Sequence, residues 1–433
     1  MEHIEKLQDG TKAKPKNNGA ELTDPKSITR DDTHQQKWAI ISLASIPLVM
    51  TLGNSMLIPV LPTMENKLNI SSFQSSLIIT VYSIVAIILI PIAGFLSDKW
   101  GRKKVIIPSL IIAGVGGLVS GIASWFLDSA YIFILIGRIL QGVGAAGASP
   151  IVLPLVGDMF RKEEDVSSAL GMIETANTFG KVLSPVLGAL LAAIVWFVPF
   201  FSFPIFCTIS ILLVLFLVKT PKTDQEKVSI GRFLQNIKKI FKVDGKWLYS
   251  IFFIGGILMF VLFGELFYLS KIFEDKYNIM DIKKGLYLAL PLGALCLASF
   301  ITGKVIKENK VLMKWLTFIG VLVLGATSFL VLFSTNLWYL MALFTLGGIG
   351  IGVSLPSLDA LITEGIEKEQ RGTITSLYSS MRFVGVAAGP PIVAILMKTH
   401  KSWLFGGFLA LCAISCLLVF IAIKPEKDQA STS

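Results

Sequence analysis

Twelve stretches of apolar sequence, each long enough to cross a bilayer, leave this chain few choices of fold. They run at 38–60, 74–96, 105–126, 130–156, 167–193, 197–218, 248–270, 285–306, 312–332, 336–361, 373–397 and 402–423. A membrane-crossing helix needs about 20 apolar residues, and the longer stretches have room to tilt. In hydrocarbon every backbone N–H and C=O must be paired within the protein, so only helices and closed β-barrels span. The stretches lack the residue-by-residue alternation of a barrel strand. Charge is also scarce: 16% of residues are Asp, Glu, Lys or Arg, against about 25% in a soluble domain. The chain reads as an all-α membrane protein with twelve transmembrane helices. Soluble, secreted and fibrous classes are excluded.

The placement of Lys and Arg predicts the orientation. With both termini in the cytoplasm, 29 of the 39 basic residues fall on the inner side, seven on the outer side, and Arg138, Lys181 and Arg382 within spans. That asymmetry accounts for the net charge of +10 and leaves no basic face for nucleic acid. Residues 1–37, polar and rich in Lys and Asp, read as a disordered cytoplasmic tail rather than a cleavable signal. Residues 38–218 form a first six-helix bundle and 248–423 a second, with a short cytoplasmic tail at 424–433. The linker at 219–247 carries Ile230, Phe233, Leu234, Ile237, Ile240 and Phe241 at helical spacing among basic residues. It reads as an amphipathic helix on the anionic inner leaflet.

The six-plus-six division is supported by an internal repeat. A shift of 206 positions lays Gly142 on Gly348, Gly144 on Gly350, Pro150 on Pro356, Asp158 on Glu364 and Pro185 on Pro391. Duplicated halves are characteristic of secondary transporters, whose cargo site lies near the midplane between the repeats. Cys207, Cys296, Cys412 and Cys416 all lie in apolar runs, and no His accompanies them. They read as packing residues, so no metal and no cofactor is expected.

An ionisable side chain within a span is expensive and marks a path for ions or cargo. Arg138 lies in the fourth stretch, ahead of Gln141, Gly142, Gly144, Ala145, Ala146 and Gly147, whose small side chains let another helix pack closely. It reads either as a buried bridge between helices or as a charge that tunes a proton site. In the fifth stretch Glu174 and Lys181 share a helix face about 10 Å apart along the axis, too far for a direct bond. Asn177 lies between them, and Gly180, Pro185 and Gly188 follow as a candidate hinge. The second half adds Glu265, read as either a proton site or an interfacial carboxylate near the outer end. It also adds Arg382 among Tyr378, Met381 and Phe383, a mix that suits an amphipathic ligand. Between the second and third stretches, Gly94, Asp98, Gly101 and Arg102 form a tight basic turn whose spacing exceeds what positive-inside charge alone requires.

These motifs together resemble the major facilitator superfamily, in particular its twelve-span drug:proton antiporter group. Gly94 to Lys104 is similar to that family's loop motif, Arg138 to Ala146 to its fourth-helix motif, and Gly180, Pro185 and Gly188 to its fifth-helix antiporter motif. Pro59 and Pro62 resemble its first-helix proline pattern. The chain departs from the family at Ser184 and Ala189, where Gly is usual, and at Asn54, where many relatives carry an acid. The resemblance implies two pseudo-symmetric six-helix bundles that rock about a central cavity, and proton-driven export from a bacterial cell.

The expected function is efflux of small amphipathic compounds of the multidrug type by a monomer in the cell membrane, with protons, small-molecule cargo and lipid as its partners. Glu174 is the first choice for proton carrier and Glu265 the second, with Arg138 releasing or stabilising the proton. Asn54, Asn177, Lys181, Tyr378, Met381 and Arg382 are candidate cargo contacts. Gly94, Asp98, Gly101, Arg102, Gly180, Pro185 and Gly188 form the conformational switch. The rival readings are a dedicated exporter of one metabolite, such as a siderophore, peptide or sugar, and a lipid flippase. Lys181 with Arg382 would favour an anionic cargo. No span pairs a nucleophile with a base, and no nucleotide-binding Gly loop occurs, so the chain does not read as an enzyme.

Overall fold

The computed structural model describes residues 30–160, 163–218, 245–306, 309–366 and 371–424. Twelve helical spans emerge, at Gln36–Leu68, Ser72–Trp100, Arg102–Phe126, Tyr131–Met159, Gly171–Ile194, Val198–Leu217, Gly245–Asp275, Asp281–Ile306, Lys310–Leu330, Leu337–Ile362, Ile374–Lys398 and Lys401–Ala422. Among the described residues there is no strand. Some helices outrun their apolar stretches at both ends, as in Gly245–Asp275 against 248–270 and Arg371–Thr399 against 373–397. The first helix starts at Arg30, so residues 30–37, expected in the tail, are helical. The expected linker helix falls almost wholly at 219–244, outside the described residues.

Proline shapes the first span. Its helix stops at Ser55, a 3₁₀ turn occupies Ile58–Val60, and a new helix runs Leu61–Leu68. Pro59 and Pro62 sit in the first turns of those two segments, where a missing N–H costs nothing.

The repeat appears directly in the helix boundaries. The fourth-span helix Tyr131–Met159 and the tenth-span helix Leu337–Gly365 coincide under the shift of 206. The second span packs on the eleventh and the fifth on the eighth, so the two cross-contacts are copies of one another. Within each half, glycine lets backbones approach. A side chain at Gly144 would meet Ala113 of the third span at 2.5 Å, and one at Gly389 would meet the Phe260 carbonyl at 2.7 Å.

One end of the interface between halves is closed by polar contacts. Lys271 of the seventh span lies 2.7 Å from Glu65 of the first, with both side chains buried. Ser72 and Ser75 donate to the same carboxylate at 2.8 and 2.7 Å, and Ser270 donates to the Ile58 carbonyl at 2.9 Å. Deeper in, Thr80 of the second span donates to the Ala387 carbonyl of the eleventh at 2.7 Å. Glu65 and Lys271 are themselves 206 residues apart. Equivalent positions can touch only at the axis relating the repeats, so this pair lies on it. The four cysteines are free, and Cys207, Cys412 and Cys416 are packed inside.

Candidate functional site

The fifth span presents Glu174, Asn177, Lys181 and Ser184 at intervals of three and four, so one helical face carries all four. Thr51 of the first span donates to the Asn177 side-chain oxygen at 2.5 Å. The Asn177 amide donates in turn to both oxygens of the half-buried Glu174, at 3.2 and 3.3 Å. Lys181 is 8% exposed and, among the described residues, makes no hydrogen bond or ion pair. It lines a narrow crevice of about 10 Å³ between the halves, together with Ser55, Ile58, Pro185, Leu262, Phe263, Leu266, Leu288 and Leu292. Apart from Lys181 and Ser55, the lining is apolar.

The second half contributes Tyr378 and Arg382, one turn apart on the eleventh span, and Asp359 from the tenth. The Arg382 guanidinium lies 3.5 Å from the Asp359 carboxylate and 5.6 Å from the centre of the Tyr378 ring. Tyr378 packs on Phe252 and against Gly255, where a side chain would meet its ring at 2.5 Å. Met381 packs partly into the core of the second half. Glu174, Lys181, Asp359 and Arg382 lie close enough to act on one another's charge. Two acids and two bases from opposite halves therefore share one electrostatic neighbourhood.

Arg138 is placed differently. It is wholly buried and saturated: it donates to the Ile78 carbonyl at 2.7 Å, the Gly53 carbonyl at 3.1 Å, Gln141 at 2.5 Å and Asn54 at 2.5 Å. The Tyr82 ring stacks 4.5 Å from the guanidinium. This network ties the first, second and fourth spans together, and it commits the Asn54 oxygen to Arg138.

The fold and its motifs find counterparts among known proteins. The Major Facilitator Superfamily profile matches residues 43–313 and 310–433. The chain belongs to the major facilitator superfamily. It is 55% identical over 392 residues to the bacillibactin exporter of Bacillus subtilis, covering 90% of this chain and 97% of that protein. It is 24% identical to multidrug resistance protein 2 of the same organism, over 92% of this chain and 98% of that one. Among solved structures the human organic anion transporter MFSD10 superposes with a TM-score of 0.71 at 16% identity, over 89% of this chain and 99% of that one. The chain is thus a multi-pass membrane transporter of small molecules rather than an enzyme, built on the major facilitator fold.

The motif residues of this major facilitator protein fall into two groups. In the turn after the second span, Arg102 pairs with Asp98, reaches Asp158 at the end of the fourth span at 3.1 Å and donates to Ser97 at 2.8 Å. Gly101 takes φ +99° there, a conformation that favours glycine. Gly94 faces Ser376 of the eleventh span at 3.7 Å, so this turn borders the other half. In the fifth span, Gly180 and Gly188 face the first span, against Thr51 and Met56. Pro185 and Ala189 face Gly285 of the eighth span. The helix runs unbroken from Glu163 to Ile194 through Pro185.

Glu265 lies inside the second half rather than on the cleft. It is 5% exposed, accepts from Ser328 of the ninth span at 2.7 Å and approaches Gly347 of the tenth. An interfacial position does not describe it.

Sequence reasoning passed over Asp359, Glu65 and Tyr82. Asp359 lies two residues inside the stretch at 336–361, where an ionisable residue should have stood out. Lys271 and Lys284, two of the seven basic residues that the charge count places on the outer side, are buried in ion pairs, with Glu65 and with Glu274, at 2.7 and 2.8 Å.

Proposed function

We propose that this transporter exports an acid-bearing iron chelator of the siderophore class from the cytoplasm, with both termini on the cytoplasmic side. The observation that carries the reading is Lys181, a buried lysine between the halves beside an apolar crevice, with Arg382 nearby. A chelator that holds iron through oxygen donors presents acidic oxygens on an organic frame, and Lys181 and Arg382 match the first while Leu262, Phe263 and Leu266 match the second. The similarity to the bacillibactin exporter over nearly the whole of both chains supports the same cargo class. Asn177, Tyr378 and Met381 complete the cargo contacts. Glu174 carries the proton moved in the opposite direction, and the Asp98–Arg102–Asp158 turn and the Gly180, Pro185 and Gly188 face act in the switch between open states.

The energetics favour this arrangement. Moving one charge down the membrane potential yields about 2.3 kcal/mol per 100 mV. An anion leaving and a proton entering both move with an inside-negative potential, so each step adds driving force.

The test is uptake into inside-out vesicles under an imposed pH gradient, with radiolabelled bacillibactin and a cationic drug in parallel. The expected result is accumulation of bacillibactin, abolished in Lys181→Met, and loss of gradient dependence in Glu174→Gln. Accumulation that survives Lys181→Met removes the anchor. Preference for the cationic drug would instead support the multidrug reading, to which the similarity to multidrug resistance protein 2 points.

A further inference from the structure

The structure holds the arginines of the fourth and eleventh spans in very different ways. Arg138 makes four hydrogen bonds of 2.5 to 3.1 Å and has no exposure. Arg382 has Asp359 as its polar partner among the described residues, at 3.5 Å. Charge-assisted N–H···O bonds run about 2.7–2.9 Å, so this second pair is slack.

We propose that Asp359 is a built-in competitor for the cargo. It occupies Arg382 while the site is empty, yields it to an acidic oxygen of the cargo on loading, and reclaims it to expel the cargo. Asp359 is a positioning residue in this scheme, acting on the cargo through Arg382.

Access is the first support. The side chains of Arg382 and Asp359 keep 17% and 30% of their exposure, so a ligand can reach the edge of the pair, although the Asp359 Oδ1 that faces Arg382 is itself buried. Charge balance is the second. The groups acting on Asp359 are Arg382, Glu174, Lys181 and Tyr378, from the fifth and eleventh spans. With Asp359 in place the four charges cancel. A cargo acid that replaces Asp359 on Arg382 keeps a counter-ion on the guanidinium throughout, and the displaced carboxylate, whose side chain is 30% exposed, is left to water.

The inference rests on the reading of the cargo as an acid, and the test separates the two. Binding to the purified full-length protein is measured with 2,3-dihydroxybenzoate, a small acidic catechol, and with bacillibactin. Asp359→Asn should bind dihydroxybenzoate about tenfold tighter than the parent, while the maximal rate of its export in vesicles falls. Asp359→Glu should stay near the parent in both. Arg382→Gln should bind weakly, and adding Asp359→Asn to it should restore nothing. A merely structural aspartate would weaken binding and transport together, and thermal unfolding of each variant checks that it is folded. The proposal is overturned if Asp359→Asn binds the acid equally or more weakly, or if none of these proteins binds it. If the expected pattern holds for dihydroxybenzoate while bacillibactin is ignored, the competitor stands and the siderophore reading falls.

Discussion

Lys271→Met should open the end of the molecule that Glu65 closes. In the closed form Lys271 and Glu65 are 2.7 Å apart and shielded from water. Removing one partner of a buried pair costs about 3–5 kcal/mol, because the other charge stays behind. Here Glu65 keeps two hydroxyl donors, Ser72 and Ser75, which lowers the penalty to about 2–3 kcal/mol. The other contact of Lys271, Asp275 at 3.9 Å, is 55% exposed, so water replaces the lost ammonium there. The penalty falls on the closed form alone, since opening hydrates Glu65. At about 1.4 kcal/mol per tenfold, the open-to-closed ratio rises about 30- to 140-fold. A population open about 1% of the time becomes open about a quarter to three fifths of the time. Spin labels at Asn66 and Lys276, both exposed and on opposite halves, report this as a long-distance component in pulsed dipolar spectra. Lys271→Arg keeps the charge and should resemble the parent, and exchanging the two charges should return most of the short distance. A Lys271→Met distribution that overlays the parent's would refute the reasoning.

Arg138→Met strands two carbonyls and the side chains of Asn54 and Gln141 in a dry site, so thermal unfolding in detergent should show a loss of several kcal/mol; an unchanged unfolding temperature would mean the network carries no stability. Gly188→Leu drives a side chain into the Met56 backbone and should push the first and fifth spans apart, so cargo transport is lost while Gly171→Leu, at a position with open space, keeps it. Glu265→Gln retains the shape of the Ser328 contact and lies off the cleft, so uptake under a pH gradient should stay within about twofold of the parent; complete uncoupling would make Glu265 the proton site.

The twelve spans and the duplication were legible because hydrophobic run length and a single repeat offset are properties of the chain itself. Depth was not legible. Lys271 and Lys284 sit at the ends of apolar runs, where a sequence cannot say whether a lysine reaches water or an acid from another helix. Asp359 was lost for the same reason, as its meaning depends on Arg382 of the neighbouring span. Arg138 was recognised as costly, but its four partners come from three spans, and two of them are backbone carbonyls that carry no residue signature. The motif glycines at 180 and 188 were read as a hinge; the structure shows them as the contact face of an unbroken helix.

The pair at the repeat axis bears on ancestry. A half-length protein that assembled as a symmetric dimer would meet itself at that point, residue against identical residue. With the present side chains, two copies of the first half would oppose glutamate to glutamate, and two copies of the second lysine to lysine. Only once the two halves were encoded by separate copies of the sequence could the two positions diverge, so the clasp between Glu65 and Lys271 postdates the duplication.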